Sequence, residues 1–298
     1  MKNTLLITLF CGSTVLLTAC GGGSDSNNNE NSLQTKEKVD YTRAETIESI
    51  YEPIINLSQE KNNIFLIGTE FAESLYYNIY AGSNFKCSDG SYTKNSDRSI
   101  TFNKCKFLDY VKDDNSGIIR LRVITISGLV NSKETLYEDS KRYETTLKNF
   151  KIISPNNDSI TYNGNILSKY SDNNAQYQIK KMALSAFDNE IKETQQLTVN
   201  NYQLNANNLT IIGQGNVEGN PEDKVFSVNF KSELSFQSNN DKIAFYPNYA
   251  DIVIEDTNNV KNSIKLSNTS NYQALISAYA NGITVSGYPK IIDWNELN

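Results

Sequence analysis

Along most of this chain, apolar and polar residues alternate with a period of two. The clearest run has Phe226, Val228, Phe230, Leu234 and Phe236 interleaved with Ser227, Asn229, Lys231, Glu233 and Ser235. A strand with one greasy and one wet face is the mark of an antiparallel sheet with one solvated side. The same pattern predicts strands at 118–130, 142–153, 159–168, 175–186, 191–199, 202–212, 224–236, 242–254 and 260–267. Turns are expected at Asn156-Asn157, Asn173-Asn174, Asp188-Asn189, Asn200-Asn201, Asn239-Asn240 and Asn258-Asn259, because Asn tolerates left-handed backbone geometry. Three segments break strict alternation with an apolar step of three and then two: Phe102-x-x-Cys105-x-Phe107, Leu147-x-x-Phe150-x-Ile152 and Ile179-x-x-Met182-x-Leu184. A β-bulge would return these residues to one face and bend the strand; the alternative is that the first residue of each faces solvent. Gly128, Gly164 and Gly215 each precede an apolar β-branched or Leu position at unequal spacing, a loose similarity rather than a repeat.

Before the strands the period changes to that of a helix. Ala44, Ile47, Tyr51 and Ile54 share a face, Thr42 and Glu45 have capping-box spacing, and Pro53 is expected to end or kink the helix. Asn62 or Asn63 can cap a second helix with an apolar stripe of Ile64, Ile67, Phe71, Leu75 and Ile79. The stripe is read as packing on a sheet, with a movable lid or partner surface as the alternative. A short helix is expected at 271–280, a last strand at Gly282 to Ser286, and a closing segment from Tyr288-Pro289 to Trp294. Trp294, the only tryptophan, is expected to plug an end of the core.

The fold class that follows is mainly β with N-terminal helices: a large curved antiparallel sheet, half-barrel-like, packed on one or two helices. A single sheet has one greasy side to cover, and the only long apolar helices come first. Residues 39–298 are read as a single β-rich domain, with a helical segment at 42–80 and the sheet at 84–290.

Ahead of this domain, Lys2 precedes an apolar run from Leu5 to Leu17, shorter than the ~20 residues that span a bilayer. The run reads as a cleaved secretory signal, residues 1–19. It ends in Leu17-Thr18-Ala19-Cys20, followed by Gly21-Gly22-Gly23. This stretch resembles the lipobox of Gram-negative bacterial lipoproteins. The resemblance implies cleavage before Cys20, acyl chains on its sulfur and new amino group, and attachment to the membrane through them. Two or more chains make a stable anchor where one does not. Gly21 stands where an Asp would mark inner-membrane retention, so the resemblance favours an outer-membrane anchor, on the periplasmic face or the cell surface. Residues 20–38 are then the lipidated Cys and a flexible tether of Gly, Ser, Asn and charged residues. Cys87-Ser88-Asp89-Gly90 to Phe102-Asn103-Lys104-Cys105 also resembles a group of proteobacterial β-rich outer-membrane lipoproteins with a paired-cysteine hairpin and no established activity.

Of four cysteines, Cys11 leaves with the signal and Cys20 is lipidated. Cys87 and Cys105 are equidistant from a turn at Asn95-Ser96-Asp97-Arg98, so in register they would face each other across two antiparallel strands, and in an oxidising periplasm they read as a disulfide. A redox pair is the rival reading, though the spacing is not Cys-x-x-Cys.

Chemistry narrows further by exclusion. The chain has no histidine, which removes Ser-His-Asp and Cys-His catalysis and the commonest metal ligand. Its formal net charge is −6, with no Lys/Arg run of the kind that marks a nucleic-acid stripe, so nucleic acid is set aside as a partner. Glu255-Asp256 and Asp293 with Glu296 are candidate hydrolase carboxylates. Asp113-Asp114-Asn115 and Asp172-Asn173-Asn174 are candidate calcium ligands, without EF-hand spacing. Tyr76, Tyr77, Tyr137, Tyr143, Tyr162, Tyr170 and Tyr177 are candidates to line a sugar or lipid site, or else strand packing. No cofactor is implied.

These features together point to a non-enzymatic, outer-membrane-anchored binding module. An apolar cavity between helices and sheet would hold a hydrophobic, lipid-like small molecule. The alternative is a structural or interaction protein whose wet sheet face or free edge meets another envelope component. A carboxylate-only hydrolase comes third.

Overall fold

The computed structural model describes residues 37–112, 119–137, 139–220, 224–239, 242–243, 246–270 and 272–297. Among them, two helices, α1 (Ala44–Leu57) and α2 (Ile64–Tyr80), precede sixteen strands. These are β1 (Asp89–Lys94), β2 (Ile100–Lys112), β3 (Ile119–Tyr137), β4 (Ser140–Ile153), β5 (Ser159–Ser171), β6 (Asn174–Asp188), β7 (Glu193–Asn207) and β8 (Thr210–Gly219). They continue as β9 (Phe226–Ser235), β10 (Ser238–Asn239), β11 (Lys242–Ile243), β12 (Tyr249–Asp256), β13 (Ser263–Ser270), β14 (Gln273–Ala280), β15 (Ile283–Thr284) and β16 (Lys290–Asp293). Fourteen strands make one open antiparallel sheet that runs as a meander from β1 to β9 and then through β12, β13, β14 and β15, with β16 also paired to β14. The sheet does not close into a barrel. A two-stranded ribbon of β10 and β11 lies apart from it, and Lys38 forms a parallel bridge with Val225.

The apolar face of the sheet carries the core. Ile124, Ile126, Leu147, Phe150, Met182, Val199, Leu204, Val217, Val228 and Ile252 are all essentially inaccessible, as are Ile47, Ile50, Ile54, Phe65 and Ala72 from the helices that lie over them. The fold class read from the pattern is the one observed.

The irregular steps of three and two are bulges, and they fall in a line across the sheet. One extra residue enters β2 between Phe102 and Cys105, β4 between Leu147 and Phe150, and β6 opposite the Gly164–Leu167 step of β5. Lys104 and Asn149 take φ values of 48° and 47° there. The neighbouring strand supplies a partner for the displaced amide: Lys104 N–H donates to Ser127 Oγ at 3.2 Å, and Asn149 N–H to Asn163 Oδ1 at 2.6 Å. Each of those acceptors is followed by a glycine. At Gly128 (φ +97°) an added Cβ would stand 2.0 Å from the Asn149 carbonyl oxygen. Gly128 and Gly164, far apart in sequence, are therefore places where a bulge presses on its neighbour.

Several expectations need correction. Asn200-Asn201 is not a turn: β7 runs unbroken from Glu193 to Asn207, and Asn201 (φ 49°) is a fourth bulge that keeps both Val199 and Tyr202 inward. The turn comes instead at Asn207 to Leu209, and β8, which the alternation had joined to β7, follows it. Residues 272–280 contain no helix; Ala274, Ile276, Ala278 and Ala280 alternate inward along β14, so period two overrides the helix propensity of alanine. The strand expected at 242–254 is two pieces, β11 and β12. Helix α1 does not stop at Pro53 but runs on to Leu57, because Ile54, Ile55 and Leu57 are buried beyond it. The Thr42/Glu45 capping box does not form. Arg43 is the N-cap without a side-chain bond, and Asp40 accepts from the Thr42 amide at 3.0 Å and its hydroxyl at 2.7 Å. Asn63 does cap α2, accepting from the amides of Phe65 and Leu66.

Cys87 and Cys105 are disulfide-bonded, with Cα atoms 5.1 Å apart. They are not register partners: Asp89 pairs with Lys106, and Cys87 precedes β1. Trp294 is buried in a 3-10 turn, Trp294–Glu296, after β16.

Replacing Gly128 with Ala should cost about 2–4 kcal/mol, through steric overlap and a left-handed φ together. Gly282→Ala has φ +81° but no neighbour within 4 Å, and should cost only about 1 kcal/mol. Denaturant titration of both variants checks the bulge line; equal losses would contradict it. Opening the disulfide with Cys87→Ser should cost about 3 kcal/mol, for a loop of 18 residues.

Candidate functional site

Two places collect chemistry, one on each face of the sheet. The first lies in the seam beneath α2. Three tyrosines rise from the apolar face and fasten the connection between the helices. Tyr202 OH donates to the Leu57 carbonyl at 2.9 Å and accepts from Asn63 Nδ2 at 2.6 Å. Tyr162 OH donates to the Ile64 carbonyl at 3.3 Å, and its ring fills the space left by Gly68, where a Cβ would lie 2.2 Å from Cζ. Tyr177 OH donates to Glu60 Oε1 at 2.7 Å.

From Tyr177 a chain of rings runs along the seam. Tyr177–Tyr170 and Tyr170–Tyr143 centroids are each 5.8 Å apart, Tyr143–Tyr77 5.7 Å, Tyr77–Tyr76 5.2 Å and Tyr76–Tyr80 4.7 Å. Edge-on contacts, which most of these are, suit the ring quadrupole. Beside this chain Glu73 is 8% exposed and accepts from Thr145 Oγ1, which meets Ser132 Oγ at 2.9 Å, which in turn meets Tyr77 OH at 3.1 Å. Burial pushes the Glu73 carboxyl up to about 7; the Thr145 hydroxyl opposes the shift and the charge of Glu70 adds to it. Glu70 is raised to about 7 as well, by desolvation and by the charge of Glu60. Tyr143 is pushed up to about 12 by burial and then by the charge of Glu134.

The second place is a groove of about 400 Å³ on the opposite, wet face of β4 to β7. Arg142, Glu144, Asn165, Gln178, Lys180 and Gln203 line it. Alternation sets their direction: Thr145, Ile166, Ile179 and Tyr202, each next to one of these residues or to Asn201, are buried on the helix side. Register assembles them, since Glu144 opposes Leu167, Leu167 opposes Gln178, and Gln178 opposes Gln203. Arg142 Nη2 donates to Glu144 Oε1 at 2.5 Å, while its buried Nε–H has no acceptor. The volume falls within the ~300–1,000 Å³ of small-molecule sites, and amide and charged groups share the lining with apolar ones such as Leu167.

The candidates named from the sequence distribute as follows. Cys20 lies outside the described residues, as do Asp113-Asp114-Asn115. Asp256 is buried and satisfied: it accepts from Tyr41 OH at 3.0 Å and from the amides of Asn258 and Asn259 at 2.8 Å each. Glu255 and Glu296 are exposed, and Asp293 precedes the last turn. Asp172-Asn173-Asn174 forms the β5–β6 turn, where Asn173 Oδ1 accepts from Asn208. Among the described residues no group of three or more acidic or cysteine side chains is placed to hold a metal ion. Tyr76, Tyr77, Tyr143, Tyr162, Tyr170 and Tyr177 all lie in the helix–sheet seam, whereas Tyr137 is 55% exposed. Sequence reasoning passed over Glu73. A carboxylate between Ala72 and Tyr76 on an apolar helical face was the available signal.

No family model, curated protein or solved structure matches this chain.

The raised carboxyl of Glu73 sets a direction for stability. Its folded pKa lies above the unfolded value, so near neutral pH the folded state holds a proton the unfolded chain has lost. The Glu73 contribution is therefore fully present below about pH 4.5 and is lost as pH rises to about 7. The loss is roughly 3 kcal/mol. Glu73→Gln should flatten that slope and raise stability above pH 7 while changing little at pH 4; denaturant titrations across pH 4–8 measure it.

Proposed function

We propose that this chain is an acylated envelope lipoprotein that acts by binding, and that it presents the wet face of its sheet to an envelope component. The address rests on Leu17-Thr18-Ala19-Cys20, and the attachment on acyl chains carried by Cys20. The observation that carries the mode of action is the division between the two faces. On the helix side, Phe71 packs against Phe107 and Phe150 at 6.3 and 6.4 Å, Phe102 against Phe150 at 6.3 Å, and the three tyrosine hydroxyls are tied to the helix connection. A lipid-like ligand there would have to displace these rings. On the other face a groove with an unmatched donor stands open to solvent.

A carboxylate-based hydrolase is the second reading, favoured by the two carboxyls raised to about 7 on α2. The groove contains neither of them, and its own Glu144 is paired with Arg142.

Cys20→Ser should move the protein from the membrane to the soluble fraction of the envelope, and mass analysis of the native protein should find acyl chains on Cys20. A photoreactive residue at Gln178, on the wet face, should crosslink to an envelope component in living cells. The same residue at Asn78, on the exposed side of α2, should not. Crosslinks only from Asn78 would overturn the reading.

A further inference from the structure

We propose that the wet face of β4 to β7 binds an acidic saccharide chain: a ligand with vicinal hydroxyls for the amides and carboxylates for the cations. This deepens the binding role above and rests on it. Three observations lead there.

The first is charge segregation. The chain carries a net charge of −6, yet this face presents Arg142, Lys148, Lys151, Lys169, Lys180 and Lys181 against a single carboxylate, Glu144. Lys151 lies between buried Phe150 and Ile152, Lys148 beside buried Leu147, Lys169 beside buried Ser168 and Lys180 beside buried Ile179, with Lys181 following it at the β6 bulge. Such a focused patch attracts anions against the sign of the whole molecule.

The second is like-charge opposition. Arg142 and Lys169 are direct cross-strand partners. Like charges at directly opposed positions destabilise a sheet. Glu144 neutralises only Arg142, and among the described residues no ion pair is formed by Lys151, Lys169, Lys180 or Lys181. A bound anion between them would remove that repulsion.

The third is the lining of the groove. Asn165 and Gln178 each offer a donor and an acceptor on one planar group, which matches adjacent hydroxyls of a sugar ring, and Gln203 adds a donor, its Oε1 accepting from Gln214 Nε2 at 3.1 Å. Arg142 keeps a buried Nε–H without an acceptor at the same place, and a guanidinium fits a carboxylate bidentately. A simple inorganic anion would satisfy the cations and leave the amides idle. A neutral sugar would do the reverse.

The test is calorimetric titration of the detergent-purified full chain with trigalacturonate, maltotriose, inorganic polyphosphate and a short DNA duplex. Trigalacturonate is expected to bind, to weaken with salt, and to be preferred at least tenfold over the other three. Lys169→Gln with Lys180→Gln should weaken it tenfold or more, and Gln178→Ala should weaken trigalacturonate while leaving any residual polyphosphate binding unchanged. All these side chains are surface groups, and matching thermal melts will show that the variants fold. Equal binding of polyphosphate or DNA would overturn the inference and leave a non-selective anion surface. Absence of sugar binding with a persisting Gln178 crosslink would overturn it while sparing the envelope-binding reading. Absence of both would remove both.

Discussion

Everything in this molecule depends on covering one side of a single sheet. Among the described residues the fourteen-stranded open sheet has no second layer of strands to seal its apolar face, so the two helices must do so. They are held by more than burial. Tyr162, Tyr177 and Tyr202 reach up from three adjacent strands and bond to Ile64, Glu60, Leu57 and Asn63, all in or next to the six-residue link between the helices. Because these hydroxyls are buried, an unmade bond would leave a desolvated polar group, a loss of about 1–3 kcal/mol each. The link is thereby fixed, and with it the position of both helices.

That constraint leaves the two faces unlike. The helix side is closed by aromatic rings and by the Glu73–Thr145–Ser132–Tyr77 hydroxyl network, and its raised carboxyls tie its stability to pH. The other face has no cover among the described residues and keeps a groove. The bulge line joins the two. Extra residues at Lys104, Asn149 and Asn201 keep the apolar residues inward across a bend, and the β6 and β7 bulges contribute Lys180 and Asn201 to the groove on the outside.

Much of the fold was legible in the pattern of residues because period two and period 3.6 are local signals. The bulges could be read at Phe102–Cys105 and Leu147–Phe150, since a regular strand cannot turn two apolar residues three apart toward the same face. Asn200-Asn201 misled because a left-handed Asn serves a turn and a bulge equally well. Residues 273–280 misled because alanine favours helices while its alternation here favours a strand. The paired cysteines were found, but their register was not, because Cys87 lies outside the paired part of the hairpin. The candidate site was the least legible part. Most of its cations stand far apart in sequence, so no basic run appears along the chain. Only the strand register brings Arg142 opposite Lys169 and sets Gln178 beside Gln203. Such a patch is a product of topology rather than of any contiguous motif.

The binding role proposed for the wet face can be tested directly by lysine footprinting in living cells. A membrane-permeant acylating reagent would be applied to cells and to the purified protein, and each lysine compared between the two. Lys151, Lys169, Lys180 and Lys181 should be protected in cells, while Lys61, within the link between the helices, should react equally in both. Uniform labelling, or protection confined to Lys61 and its neighbours, would contradict the assignment of binding to the wet face.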